Sequence, residues 1–352
     1  MKVGMIGFTR SGKTTVFNAI TGASAEVGAY GSREANLAVI KVPDARIDKL
    51  SEIFKPKKKT YAEFEFIDIA PAEGADSDKT LDNAALNLLK NADALVHVVR
   101  AFEDENVMHP LESVNPARDV KALEDELQII DFIIIEKRIE RLEKERRKDQ
   151  EYDLLVRCKE HLESSKPLRT LDMNPQEETL LRSFTFLSQK PMMLLGNYGD
   201  SAIGKDDPAH LNEAAEKHGL KLIEFCGALE MEVSRLPHDE QAIFREELGL
   251  GEESRVRFIQ FAYEMLGLMS FLTAGEPEVR AWTIRKGTHA VDAAGVIHSD
   301  IKRGFIRAET VAYNDFMEAG SMAKAKEKGR VRLEGKEYVV KDGDMLLFRF
   351  NV

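Results

Sequence analysis

Short apolar runs recur along the chain, separated by longer amphipathic spacers. KVGMIG at residues 2–7 is the first, followed by a glycine-containing loop and a helical pattern that starts near Lys13. YAEFEFID at 61–68 alternates apolar and polar positions and ends on Asp68. ALVHVV at 94–99, MMLLG at 192–196 and KLIEFC at 221–226 are further β-rich runs. Strands separated by helical spacers predict an α/β fold, a doubly wound and mostly parallel sheet with helices on both faces.

From about Pro116 to Lys190 the pattern changes, and no strand is expected. Leu123, Leu127, Ile130 and Ile134 recur at helical spacing, then EKRIERLEKERRKDQ carries dense charge of both signs, then Leu154, Leu155, Cys158 and Leu162 form a second stripe. This predicts a long antiparallel helical hairpin projecting from the sheet. Its charged face is read either as a solvated face with i,i+4 ion pairs or as a docking arm for a large partner. Beyond Ala281 the chain changes again. Glycines at 287, 295, 304, 329, 335 and 343 punctuate predicted strands around one short helix near 313–328, a small mixed α+β domain.

Composition narrows the class. Hydrophobic residues are 43% and charged residues 32% of 352, a balance that can bury a sizeable core. No apolar run is long enough to span a bilayer, and the first one, broken by Gly4 and Gly7, reads as a buried strand rather than a signal peptide. Two cysteines, Cys158 and Cys226, fit a reducing cytoplasm better than a disulfide framework. The net charge of −11 argues against general nucleic-acid binding. Residues 275–352, however, hold 14 Lys/Arg against 12 Asp/Glu, so the tail is where an RNA surface is electrostatically easiest.

The chemistry sits in residues 7–14, GFTRSGKT, which fit G-x-x-x-x-G-K-[ST] between a predicted strand and a predicted helix. A polyphosphate needs converging backbone N–H groups, hence glycine at the points of closest approach. Thr9, Arg10, Ser11, Gly12, Lys13, Thr14 and Thr15 form the phosphate-binding set. Lys13 supplies the catalytic cation on the outer phosphates and Thr14 a hydroxyl for Mg²⁺. Arg10 is either a further cation on the phosphates or a solvent-facing side chain. Asp68, at a strand end, can reach the magnesium shell. Asn197 can both donate to and accept from a purine edge, with Asp200 three residues on.

With these motifs in place the chain resembles the YchF-type Obg-related P-loop proteins, also called Obg-like ATPases. The likeness runs through REANLAVIKVPDARIDKL, VHVVRAFEDENVMHP, AYEMLGLMSFLTAGEPEVRAWTIRKGTHA and LEGKEYVVKDGDMLLFRFNV. It implies a P-loop G-type domain from residues 1–115 and 191–268, a coiled-coil insertion at 116–190, and a β-grasp, TGS-like domain at 269–352. It also implies binding of ATP as well as GTP, a ribosome or RNA partner, and a base site at Asn197, Tyr198, Asp200, Cys226, Gly227 and Ala228. Ser32 falls at the family's switch threonine, giving Thr14, Ser32 and Asp68 as the magnesium set. Arg285, Lys286, Lys302, Arg303 and Arg307 are the RNA candidates, and Trp282 reads as core rather than a stacking platform.

One departure bears on turnover. The family reads D-I-A-G after the second strand, whereas this chain reads Asp68-Ile69-Ala70-Pro71. Proline has no N–H to give the γ-phosphate. A hydrogen bond to a charged group contributes about 1.5–3 kcal/mol, so its loss in the transition state alone would slow hydrolysis roughly ten- to a hundredfold. Ala72 stands where ordinary GTPases carry a water-orienting glutamine. Charge stabilisation by Lys13 and Mg²⁺, with K⁺ or an RNA partner as a further source, is then what drives the reaction. The expectations are a slow nucleotide hydrolase working as a switch, or a nucleotide-binding module with little hydrolysis.

Overall fold

The computed structural model describes residues 1–22, 36–69, 81, 83–202, 205, 209–248 and 254–351. The chain divides into two compact units, residues 1–38 with 65–258, and residues 39–64 with 259–352.

The first unit is built on a six-stranded sheet in the order β2-β4-β1-β5-β6-β7. The strands of that sheet are β1 (Lys2–Ile6), β2 (Asn36–Val42), β4 (Ala62–Asp68), β5 (Ala94–Ala101), β6 (Met192–Tyr198) and β7 (Lys221–Phe225), of which β2 belongs to this unit at 36–38 and β4 at 65–68. Strands β4, β1, β5, β6 and β7 pair in parallel throughout. Helices α1 (Lys13–Thr21), α3 (Asn83–Lys90), α7 (Leu211–Lys217), α8 (Gly227–Ser234) and α9 (His238–Glu247) belong to this unit, as does the first part of α10 (Ser254–Met265). Parallel strands covered on both faces must be apolar on both, and β5 is buried from Ala94 to Arg100. One core joins Ile6, Leu95, Val99 and Leu194 of the sheet to Leu123 and Leu127 of the insertion and Leu211 of α7.

The insertion is helical. Helix α4 (Pro116–Lys144) has proline in its first turn and is capped by the Asn115 side chain, which accepts from Arg118 N. Helix α5 (Gln150–Glu163) returns beside it, followed by α6 (Pro175–Leu181), opened by a capping box between Asn174 and Glu177. All four apolar positions of the second stripe, Leu154, Leu155, Cys158 and Leu162, are buried. With Ile135, Leu142, Leu181 and Phe186 they form a cluster distinct from that of the sheet. The charged face carries one ion pair of the expected i,i+4 kind, Arg141 on Glu145 at 2.9 Å, and two that instead link α4 to α5, Arg138 on Glu151 at 2.7 Å and Lys159 on Glu136 at 2.8 Å. Between the two clusters the buried Asp131 carboxylate accepts from Leu187 N, Ser188 N and Ser188 Oγ at 2.9, 2.7 and 2.6 Å. No helix of the described residues is long and apolar enough to cross a membrane.

The second unit holds a six-stranded mixed sheet, order β11-β10-β12-β8-β9-β3. Its strands are β3 (Lys58–Thr60), β8 (Leu268–Ala274), β9 (Glu278–Arg285), β10 (Phe305–Ala312), β11 (Arg332–Glu334) and β12 (Asp344–Phe350). The sequence pattern placed residues 39–64 with the N-terminal part. In the structure they group with the tail because β3 pairs in parallel with β9. Helix α2 (Ala45–Phe54) also carries Arg46, which donates to Asp342 at 2.6 Å. The tail holds more helix than the pattern predicts: α11 (Ala290–Ile297), α12 (Ser299–Arg303), α13 (Tyr313–Ala319) and α14 (Met322–Glu327). Gly295, read as a turn, lies inside α11, whose alanines favour helix strongly enough to carry one glycine. Gly320, at φ 74°, splits the predicted single helix into α13 and α14. Ala290, Ala293 and Ala294 of α11 pack on Phe271, Ile284 and Phe348 of the sheet.

Candidate functional site

The loop between β1 and α1 is shaped by backbone that only glycine tolerates. Gly7 has φ 148°, and a Cβ there would lie 2.4 Å from Val98 O of the neighbouring strand. Gly12, at φ 85°, is the N-terminal cap of α1, and its added Cβ would lie 2.2 Å from Asn197 Nδ2. The loop therefore presses against β5 and β6 and leads into the start of α1, where the helix dipole favours an anion.

Lys13 is buried at the first position of that helix. Its Nζ donates to Gly7 O and Phe8 O, both at 2.8 Å. An ammonium has three N–H groups, so one remains for a phosphate oxygen. Burial lowers its pKa to about 8, and the Asp68 carboxylate opposes that shift. Thr14 Oγ1 donates to Asp68 Oδ2 at 3.0 Å, and Asn36 Nδ2 reaches the same oxygen at 3.3 Å. Asp68 Oδ1 is buried and has no hydrogen-bond partner among the described residues. A hydroxyl oxygen beside a carboxylate with an unsatisfied oxygen is the hard donor set that magnesium takes, so Thr14 and Asp68 fit the ion. Ser11 is buried, Thr9 and Thr15 are half-buried, and Arg10 is exposed. The Arg10 guanidinium donates to Met108 O at 3.1 Å, a third use beyond the two expected of it.

On the base side, Asn197 lies within β6 rather than after it, because the strand runs on to Tyr198. Its Nδ2 donates to Ser11 O and its Oδ1 accepts from Gly227 N, both at 3.0 Å. It thus ties the phosphate loop to the start of α8. The amide has a second N–H and a second lone pair beyond these two bonds. The Tyr198 ring is buried in the sheet core, against the place a Cβ on Gly196 would occupy. Asp200 is exposed and close enough to raise the Cys226 thiol, although burial of the thiol is the larger cause. Gly227 is buried beside Asn197, and Ala228 is exposed. Ser32 and Pro71 lie outside the described residues.

The sequence pattern missed several residues here. Asn36 opens β2 and shares Asp68, and a polar residue at a strand start was its only signal. The Phe102 ring lies 4.0 Å from an added Gly12 Cβ, and its own Cβ lies 3.3 Å from one on Gly199. The buried Arg100 guanidinium stacks on that ring at 4.6 Å. His109 packs on Phe8 with ring centroids 6.2 Å apart. The RNA candidates Arg285, Lys286, Lys302, Arg303 and Arg307 are all exposed. Lys302 is held by Asp292 and Arg303 by Asp300, each at 2.8 Å. Trp282 is half-buried under Arg280, at 3.8 Å, and against Phe271, which agrees with its reading as core.

Comparison with known proteins places this geometry in a family. The YchF-GTPase C-terminal model, described as "Protein of unknown function (DUF933)", matches residues 268–351, and a model described as "50S ribosome-binding GTPase" matches residues 2–138. A Bacillus subtilis (strain 168) protein named "Ribosome-binding ATPase YchF" is 42% identical over 364 aligned residues, covering 100% of both chains. The Escherichia coli O157:H7 protein of the same name is 38% identical, over 100% of this chain and 99% of its own. The solved structure of the Schizosaccharomyces pombe YchF GTPase superposes with TM-score 0.88 at 29% identity, over 99% of this chain and 97% of that one. With relatives this similar from end to end, the chain belongs to the YchF family of P-loop proteins.

Proposed function

We propose that the protein is a Mg²⁺-dependent nucleotide switch that slowly hydrolyses ATP, with GTP as an alternative substrate, and acts on the ribosome. The observation that carries this reading is the convergence of Lys13, Thr14 and Asp68 at the start of α1, beside a loop of close-packed amides. The loop amides and the third Lys13 N–H bind the outer phosphates and stabilise the charge that grows on them. Thr14 and Asp68, with Ser32, hold magnesium, which when bound supplies neutralisation of the phosphate oxygens. Asn197 and the Tyr198 backbone orient the base, Cys226, Gly227 and Ala228 close its far side, and the carboxylate of Asp200 is what leaves GTP open. Potassium is a second cation candidate beside the phosphates. The names of the bacterial relatives support the ribosome as partner and a cytoplasmic site of action. Arg285, Lys286, Lys302, Arg303 and Arg307 are the basic side chains that would face its RNA.

A second reading, a nucleotide-binding module that barely turns over, is favoured by Pro71 alone. Single-turnover assays with γ-labelled ATP and GTP separate the two. Phosphate release that disappears in Lys13→Ala supports the hydrolase. Triphosphate that stays intact on the wild-type chain for hours supports the module. Absence of any binding by calorimetry with Mg²⁺ present rules out both.

A further inference from the structure

The segment joining β5 to α4, residues 102–115, touches the phosphate loop on one side and the arm helix on the other. Toward the loop, Met108 O accepts from Arg10 and the His109 ring packs on Phe8. Toward the arm, the first turn of α4 holds the same few residues. Arg118 donates from NH2 to Ser113 O at 2.7 Å and from NH1 to Ser113 Oγ at 3.1 Å and Leu111 O at 3.3 Å. The same guanidinium clamps Asp119 Oδ1 at 2.8 and 3.0 Å. Asp119 Oδ2 stands 2.9 Å from His109 Nε2, both side chains 2% exposed, while His109 Nδ1 accepts from Leu111 N at 3.1 Å. Glu112, at φ 66°, gives the segment the sharp bend that brings these carbonyls round to one guanidinium.

We propose that Arg118 and Asp119 form a latch that couples the arm to the phosphate loop. Two residues of the segment bear on the loop, and the same stretch is gripped by one arginine and one aspartate that belong to the arm helix. A change in loop geometry at Phe8 or Arg10 must either move the first turn of α4 or break this set of bonds. Breaking it leaves the buried Asp119 carboxylate without its guanidinium partner, which is costly. Nucleotide in the loop and a partner on the arm are therefore linked in both directions, each altering the other's affinity by the same factor. The inference rests on nucleotide binding as proposed above. Arg118 and Asp119 are positioning residues, since neither touches the phosphate loop itself.

Hydrogen exchange read by mass spectrometry on the full chain tests the latch. Saturating Mg²⁺ and a non-hydrolysable ATP analogue should slow exchange in residues 109–128 of the wild type by about fivefold or more. In Arg118→Gln and, independently, in Asp119→Asn, that slowing should vanish beyond residue 116, while the analogue still binds with its affinity reduced by about the same factor. Unchanged exchange in α4 of a wild type that binds the analogue overturns the latch and leaves the nucleotide reading intact. Slowing retained in both variants overturns it too. Failure of the wild type to bind the analogue by calorimetry removes the nucleotide reading, and the latch with it. The wild-type comparison decides even if one variant does not fold.

Discussion

Thr14 Oγ1 lies 3.0 Å from Asp68 Oδ2, two residues 54 apart in sequence brought together at the ends of adjacent elements. The hydroxyl spends its proton on the carboxylate, which leaves its lone pairs for a metal. Thr14→Val keeps the side chain's shape and removes those lone pairs. Its affinity for ATP with Mg²⁺ should fall by about tenfold or more, equivalent to about 1.4 kcal/mol. Affinity for ATP measured in EDTA should be little changed, and titration calorimetry with and without the metal reads both. Equal losses under the two conditions would show a role unrelated to magnesium.

Gly7 tests the shape of the loop without touching its charges. Gly7→Ala puts a methyl 2.4 Å from a main-chain carbonyl that is fixed by the sheet, at a φ that side chains rarely adopt. The variant should lose about 2–4 kcal/mol of stability in urea unfolding and bind no triphosphate.

Asn197 uses one amide to serve two elements. Asn197→Asp keeps the acceptor for Gly227 N and replaces the donor to Ser11 O with an oxygen facing an oxygen. Stability should fall by about 2–4 kcal/mol, and the loss should be smaller at pH 4 than at pH 7 because protonation restores a donor. A loss independent of pH would mean that Ser11 O does not need that bond.

His97 is completely buried in β5, and both ring nitrogens lack a hydrogen-bond partner among the described residues. Burial, with a smaller push from the Lys13 charge, lowers its pKa to about 3. The unfolded chain therefore takes up a proton near pH 6.5 that the native chain refuses until about pH 3. Stability is full above the upper value and drains away as the pH falls toward the lower one. Between pH 7 and pH 4.5 the wild type should lose about 2–3 kcal/mol more than His97→Leu in denaturant titrations. Parallel losses in the two proteins would place His97 in contact with water.

Much of this was legible in the residues. Five runs of the sheet, the loop at 7–14 and the apolar stripes of the arm follow from spacing, because burial on a strand or helix face imposes a period. Asp68 was legible because a carboxylate ends an apolar run. The missing parts depend on contacts distant in sequence. Strand β2 alternates only weakly, and β3, three polar-leaning residues, exists because β9 offers it a partner. Helix α11 was hidden by glycine and β-branched neighbours that resemble a strand context, and its docking on Phe271 and Phe348 decides the outcome. Phe102 and His109 carry no local signal of their position near the loop, since their neighbours there, Gly12, Gly199 and Phe8, are distant in sequence.

Helix α4 spans two separate apolar clusters, with Asp131 anchored at their junction. At 29 residues it is about 43 Å long, so its outer half stands well clear of the sheet. Thermal opening that begins at the tip has a natural stopping point at Asp131, where three donors resist further unzipping. The hairpin can thus melt, be cut or be exchanged for another as a self-contained piece, while the roots that frame Leu123 and Leu127 stay folded into the sheet.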